Sequence, residues 1–162
     1  MDDNMKLAQA KATFATLCRA LDKEEWSYQK DEEKLSVKAG AQGEDLPIDL
    51  GFQVDAKRML VKLYSPIPFT IPEDNRLDIA IAVTAINDIL ANGCFDFDLS
   101  DGSLLFRIIN SFLDSQLGEE VFVYMLYTAC QTVDKYNDLL LMLSKKVITL
   151  EQFLDKLNDD QQ

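Results

Sequence analysis

The chain has 162 residues, 48% of them hydrophobic, and carries 28 acidic against 16 basic side chains. This length and composition suit one domain built around a single core. The net charge of −12 opposes binding to phosphate backbones and to anionic membrane surfaces, so we expect no nucleic-acid and no membrane partner. Partners that are basic or that expose apolar segments suit this charge balance better.

Histidine is absent, and the three cysteines, Cys18, Cys94 and Cys130, are far apart in sequence. The absence of histidine excludes the most common general base and imidazole-ligated metal sites. The cysteine spacing suggests neither a disulfide framework nor a thiolate metal site. The acidic N-terminus lacks the features of a signal peptide, and the most apolar segment, 79–90, is too short to cross a bilayer. We therefore expect a cytoplasmic protein without a metal or a cofactor.

The first part of the chain passes from a helical to a strand periodicity. Leu7, Phe14, Leu17 and Leu21 recur at helical spacings and predict an amphipathic helix over 4–22. Alternating or β-branched segments predict strands that begin at Trp26 and that cover 35–39, 48–55 and 59–64. The last two form an antiparallel hairpin. The glycines at 40 and 43 predict a flexible connection, and no internal repeat is apparent.

Three of the four prolines, Pro66, Pro68 and Pro72, fall within seven residues. Each removes a backbone donor, so this segment cannot continue a sheet and forms a crossover. Pro72 and the two acidic residues after it predict the start of a helix that runs to about Gly93. Its main apolar stripe includes Ile79 and Ile86, while a second strip lies on another side and consists of Leu77, Ile81 and Ala85. We expect this second strip to contact a second copy of the chain or another partner.

The second half begins with a hairpin, because Asp101-Gly102 favours a tight turn between strands at 95–99 and 104–112. A helix over 118–145 keeps an apolar seam at alternating spacings of four and three. Tyr124 and Tyr127 fall on its polar side and are candidate partner contacts. Thr149 and Gln152 have the spacing of a capping box that begins a last helix. The acidic tail 159–162 is predicted to be disordered.

Carboxylates in the hairpin are the one candidate for chemistry. Asp96 and Asp98 lie on one face of the predicted strand, a placement that could suit a hydrolase, but alternate aspartates also suit the wet face of a hairpin. A calcium loop is excluded, because Asp101 and Arg107 stand where the loop needs glycine and glutamate. We therefore predict no catalytic, metal-binding or cofactor-binding residue and no enzymatic activity.

Three segments, SPIPFTIPE (65–73), GCFDFDLSDG (93–102) and TVDKYND (132–138), resemble the YbjN-domain family. The resemblance extends over about 26–145. It implies an α+β fold in which helices pack against a twisted antiparallel sheet, as in type III secretion chaperones. Members of the family are described as candidate regulators of sensory transduction. The related chaperones are acidic, usually dimeric, and bind extended segments of client proteins without catalysis.

These observations predict one domain over 1–162, with an N-terminal helix (1–25), the family core (26–145) and a C-terminal helix with an acidic tail (146–162). The predicted function is non-enzymatic protein interaction, chaperone-like or regulatory, by a homodimer that binds a partner polypeptide through grooves or sheet edges. The alternative is a small-ligand sensor with a pocket between helix and sheet. The candidate contact residues are Leu77, Ile81, Ala85, Tyr124 and Tyr127.

Overall fold

The computed structural model describes residues 2–159. In chain order its elements are α1 (Asp3–Lys23), β1 (Tyr28–Asp31), β2 (Ser36–Gln42), β3 (Pro47–Asp55), β4 (Leu60–Pro66), α2 (Arg76–Ile89), β5 (Cys94–Phe97), β6 (Leu104–Ser111), α3 (Glu119–Ser144) and α4 (Leu150–Asp159). The strands form a six-stranded sheet with the order β1-β2-β3-β4-β6-β5, and every neighbouring pair is antiparallel. The predicted α+β class is therefore confirmed.

Most predicted elements lie within a few residues of their observed positions, and the differences have local causes. Gly40 lies inside β2, opposite Asp49 of β3, so the prediction of a flexible connection there was wrong. Pairing with β3 outweighs the weak strand preference of glycine. Of the predicted disordered tail, residue 159 ends α4, and 160–162 lie outside the described residues.

One face of the sheet, which we call the inner face, holds the core. Val37, Phe52, Leu63 and Ile108 are neighbours across four adjacent strands, and each is at most 1% exposed. The helices α1, α2 and α3 contact the strands, and α4 packs on α2 and α3. Alternate residues such as Lys38 project from the opposite, open face and are exposed. In β3 and β6 the buried positions therefore alternate with more exposed ones, as the period-two pattern predicts.

The capping box at the start of α4 is confirmed by its hydrogen bonds. The Thr149 backbone N–H donates to Gln152 Oε1 at 2.9 Å, and the Gln152 N–H donates to Thr149 Oγ1 at 3.2 Å. Ile148 and Phe153 on either side are both buried. These contacts satisfy N–H groups that a helix start leaves unpaired and fix the angle at which the chain enters α4.

Residues 28–39 and 52–63 form two similar hairpins in which each position corresponds to the one 24 residues later. The segment YQKDEEKLSVKA aligns with FQVDAKRMLVKL, and both hairpins share one pairing register, Lys30 with Val37 and Val54 with Val61. The expectation of no internal repeat was therefore wrong. The identical residues are few, so the shared register reveals the repeat more clearly than the letters do.

Both turns of this repeat have the same geometry. Asp31 Oδ1 accepts from the Lys34 N–H at 3.0 Å, and Asp55 Oδ1 accepts from the Arg58 N–H at 3.0 Å. The next residues, Leu35 (φ 49°) and Met59 (φ 57°), adopt the left-handed conformation. This conformation costs a non-glycine residue roughly 1 kcal/mol or more. Burial of the Leu35 and Met59 side chains offsets that cost.

The proline crossover and the turn of the β5–β6 hairpin are joined by hydrogen bonds. The Ile71 N–H donates to Gly102 O at 2.9 Å, and Arg76 Nη1 donates to the carbonyls of Leu99 and Ser100 at 2.9 and 3.0 Å. Gly102 has a φ of +81°, and a Cβ atom there would lie 2.3 Å from the Ile71 carbonyl oxygen. Only glycine fits this contact.

Gly102→Ala should therefore destabilise the fold by on the order of 2 kcal/mol, because the new methyl group must separate the turn from the crossover. Gly118→Ala is the matched control, since a Cβ atom at Gly118 meets nothing within 4 Å. Urea denaturation followed by circular dichroism measures both changes. Equal stability of the two variants would contradict the proposed contact.

The repeat also supplies a matched pair of aspartates. Lys62 is only 8% exposed, and its Nζ lies 2.7 Å from Asp55 Oδ2. The corresponding Asp31 instead pairs at 3.5 Å with Lys34, whose side chain is 79% exposed. The hydrogen bond from Lys62 is the main reason why the pKa of Asp55 is lowered.

Asp55→Asn should cost roughly 2 to 3 kcal/mol at neutral pH, because it leaves a buried ammonium without its carboxylate. Since the folded-state pKa is below the unfolded value of about 3.9, the stabilisation is present above that value and is lost as the pH falls through the folded pKa. The difference between wild type and variant should therefore vanish in acid. Asp31→Asn should change the free energy of unfolding little. If it costs as much as Asp55→Asn, the loss in both variants comes from the turn and not from the Lys62 ion pair.

Candidate functional site

The second apolar strip of α2 lies at the surface. Leu77 is 74% and Ile81 43% exposed, and Ala85 is partly buried against the core. The main stripe is buried and consists of Ile79, Ala82, Val83 and Ile86. Because β5, α3 and α4 contact α2, its remaining side carries Leu77 and Ile81 in contact with solvent.

Tyr124 and Tyr127 of α3 are 52% and 41% exposed. The Tyr127 hydroxyl donates to Glu24 Oε2 at 2.7 Å, and this hydrogen bond is the main reason why the pKa of Tyr127 is raised. Tyr127 thus ties α3 to the end of α1. The five predicted contact residues are therefore divided between two helices.

A groove that sequence reasoning missed lies between α1 and the β1–β2 hairpin. It encloses about 780 Å³ and is lined by Leu7, Lys11, Phe14, Ala15, Cys18, Arg19, Lys30, Glu32, Glu33 and Leu35. Phe14 and Leu35 are each 6% exposed, whereas Leu7, from the predicted apolar stripe of α1, is 42% exposed. The available signal was Leu7, a member of the predicted stripe that the fold leaves partly exposed.

Polar contacts hold the walls of the groove in place. The Tyr28 hydroxyl donates to Asp22 Oδ1 at 2.8 Å and so fastens β1 to α1. Arg19 Nε donates to Glu119 Oε1 of α3 at 3.2 Å. Burial raises the pKa of the Cys18 thiol, which keeps it protonated and weakly nucleophilic. The groove thus offers an apolar floor within a rim of both charges, a surface suited to binding apolar side chains.

The two candidate carboxylates are separated by their contacts. Asp96 accepts a hydrogen bond from Arg107 Nε on the neighbouring strand. Asp98 accepts from the N–H and hydroxyl of Ser100 at 2.8 and 2.6 Å, and these bonds lower its pKa. Asp98 is therefore poorly suited to act as a general acid, and both carboxylates have hydrogen-bond partners within the hairpin.

Metal-ligand clusters and membrane-spanning helices are both absent from residues 2–159. No three cysteine or acidic side chains in this range are placed to hold a metal ion. Among the helices of the same range, none is both long and apolar enough to cross a membrane.

No protein-family model and no curated protein matches the chain. Solved structures do. YbjN, described as a candidate transcription regulator from E. coli, matches with a TM-score of 0.58 and 12% identity, over 82% of this chain and 92% of its own. The ExsC–ExsE complex matches with a TM-score of 0.54 and 14% identity, over 82% and 95% of the two chains.

A third structure, the HopA1–SchA chaperone–effector complex, matches with a TM-score of 0.51 and 12% identity, over 76% of this chain and 91% of the other. At these identities the likeness is one of fold, and it spans most of each chain. The protein therefore has the YbjN-like and type III secretion chaperone-like fold that the sequence resemblance predicts.

Proposed function

We propose that this protein is a non-enzymatic interaction domain, chaperone-like or regulatory, that binds a segment of a partner polypeptide in the groove between α1 and the β1–β2 hairpin. The observation that carries the proposal is the partly exposed apolar floor of this groove. Leaving such surface in water is unfavourable, by about 25 cal/mol for each Å². The fold likeness to a chaperone seen with its effector supports the same function.

The rim of the groove favours a polypeptide over a purely apolar ligand. Lys11 and Glu33 bring both signs of charge to its edge, as is common at the rim of a protein interface. Charged rim groups contribute mainly to the rate and selectivity of association, while the apolar floor supplies most of the binding free energy.

The outer strip of α2 supports homodimerisation. Leu77 and Ile81 are exposed on one side of a helix whose other sides are covered. A two-fold contact would bury this strip in both copies at once, and closed two-fold dimers are the most common oligomers. The acidic charge and the three free cysteines suit a cytoplasmic protein.

A small-ligand sensor is the second candidate function, favoured by the groove volume of about 780 Å³, which is within the range of metabolite sites. Thermal unfolding with a panel of metabolites distinguishes the two functions. A true ligand at 100 times its Kd should stabilise the protein by ~2.7 kcal/mol, whereas a polypeptide site should give no such response.

Leu7→Glu should weaken partner binding at least about tenfold, equivalent to ~1.4 kcal/mol, because it places a carboxylate on the apolar floor. Leu7 is 42% exposed, so folding should tolerate the change. Quantitative affinity capture from lysate with mass spectrometry identifies partners that the variant loses, and titration of a purified partner measures the change. Val147→Glu is the control, since Val147 is 65% exposed and lies outside the groove. Equal losses in both variants would contradict the groove site.

Ile81→Asp should dissociate the dimer without unfolding it, because it introduces charge at the centre of the α2 strip. Sedimentation equilibrium at micromolar concentration measures the mass of each species. Leu113→Asp, at a 57% exposed leucine elsewhere on the surface, should leave the dimer intact. A wild-type protein that sediments only as the 18.4 kDa monomer would end the dimer proposal while leaving the groove proposal untouched.

A further inference from the structure

The sheet has two edge strands, β5 and β1, and the outward-facing backbone groups of these two strands are treated differently. At β5, the Phe95 N–H donates to Asn87 Oδ1 at 2.8 Å, and Asn87 Nδ2 donates to the Phe95 carbonyl at 2.9 Å. Phe95 is directly opposite Phe106 of β6. In an antiparallel pair both backbone groups of a residue point the same way, so here they point outward. The Asn87 amide therefore occupies the position that an added strand would need.

At β1, comparison of the two similar hairpins shows how the open edge is arranged. Lys30 pairs with Val37 as Val54 pairs with Val61, so β1 corresponds to β3. The Val54 N–H points away from its own hairpin and donates to Leu35 O at 2.9 Å. The equivalent N–H of Lys30 accordingly points to the outer side of β1, where the sheet has no further strand among residues 2–159.

The side chains at these two equivalent positions differ in polarity. Val54 lies on the inner face and is 3% exposed. Lys30 occupies the same face of its hairpin but is exposed and lines the groove. Its ion pair with Glu32 measures 2.7 Å, with both side chains at least 51% exposed, so it contributes little to stability. The first hairpin thus has an exposed lysine, Lys30, at the position where the second hairpin has the core residue Val54.

We infer that Lys30 closes the β1 edge against pairing with β1 of a second copy of this chain. An added strand would accept a hydrogen bond from the outward N–H of Lys30. Its side chains would also cover the inner face next to β1 and bury the Lys30 ammonium group. In a two-fold pairing the two Lys30 side chains would also share one face, where like charges repel. Inward-pointing charges and lysines on edge strands are known means of preventing such association.

Lys30→Val, which makes the first hairpin equal to the second at this position, should therefore cause self-association. Sedimentation velocity from micromolar to millimolar protein should show a species heavier than the unsubstituted chain, with self-association at least about tenfold stronger. Mass is compared with the unsubstituted chain, whichever oligomer that chain forms. The effect of Lys30→Val on mass can therefore be interpreted even if the α2 dimer or the groove proposal is wrong.

Gln29→Val is the matched control. Gln29 is on the same strand but on the opposite face, and its repeat equivalent is also a glutamine, Gln53, so it should not cause association. Lys30→Glu should keep the wild-type mass, because any charge on the inner face closes the edge. If Lys30→Val folds poorly, Lys30→Thr removes the charge while adding less apolar surface. This variant should also self-associate more strongly than the unsubstituted chain. An unchanged mass in both neutral variants, or equal association by Gln29→Val, would overturn the inference.

Discussion

Burial of only one face of the sheet is the constraint on which the other features of this molecule depend. The helices pack against the inner face, where neighbouring strands place Phe52, Leu63 and Ile108 side by side. Because a strand alternates between its two faces, this arrangement fixes which residues are dry and which meet solvent. The two proposed partner sites lie outside this core, at the outer side of α2 and between α1 and the first hairpin, where apolar side chains meet solvent.

The proline crossover links the sheet, α2 and the β5–β6 hairpin. It carries the chain from β4 into α2, and its Ile71 N–H holds the turn of the next hairpin through Gly102. Asn87, near the far end of α2, bonds both backbone groups of Phe95. The same helix therefore packs on the core, closes one sheet edge and presents Leu77 to solvent, with a different side for each role.

The repeat gives the protein an internal comparison for its own residues. At equivalent positions, Asp31 and Asp55 form the same turn, but only Asp55 holds a buried lysine. Lys30 and Val54 occupy equivalent positions of the two hairpins and have opposite polarity. In each case the backbone geometry is shared, so the difference follows from position: the second hairpin is central in the sheet, and the first is at its edge.

The sequence by itself determined the class of the fold, most of its elements and the outer strip of α2, because hydrophobic period, capping residues and turn residues act over a few neighbours in the chain. Leu77 and Ile81 could be recognised this way, since a helix presents every third or fourth residue on one side. Gly40 could not be placed, because its strand depends on pairing with β3. Neither the groove nor the contrast between Lys30 and Val54 was visible in the sequence. Both arise from which strand lies at the edge and from how α1 packs beside the first hairpin, and only the tertiary packing of distant segments decides that.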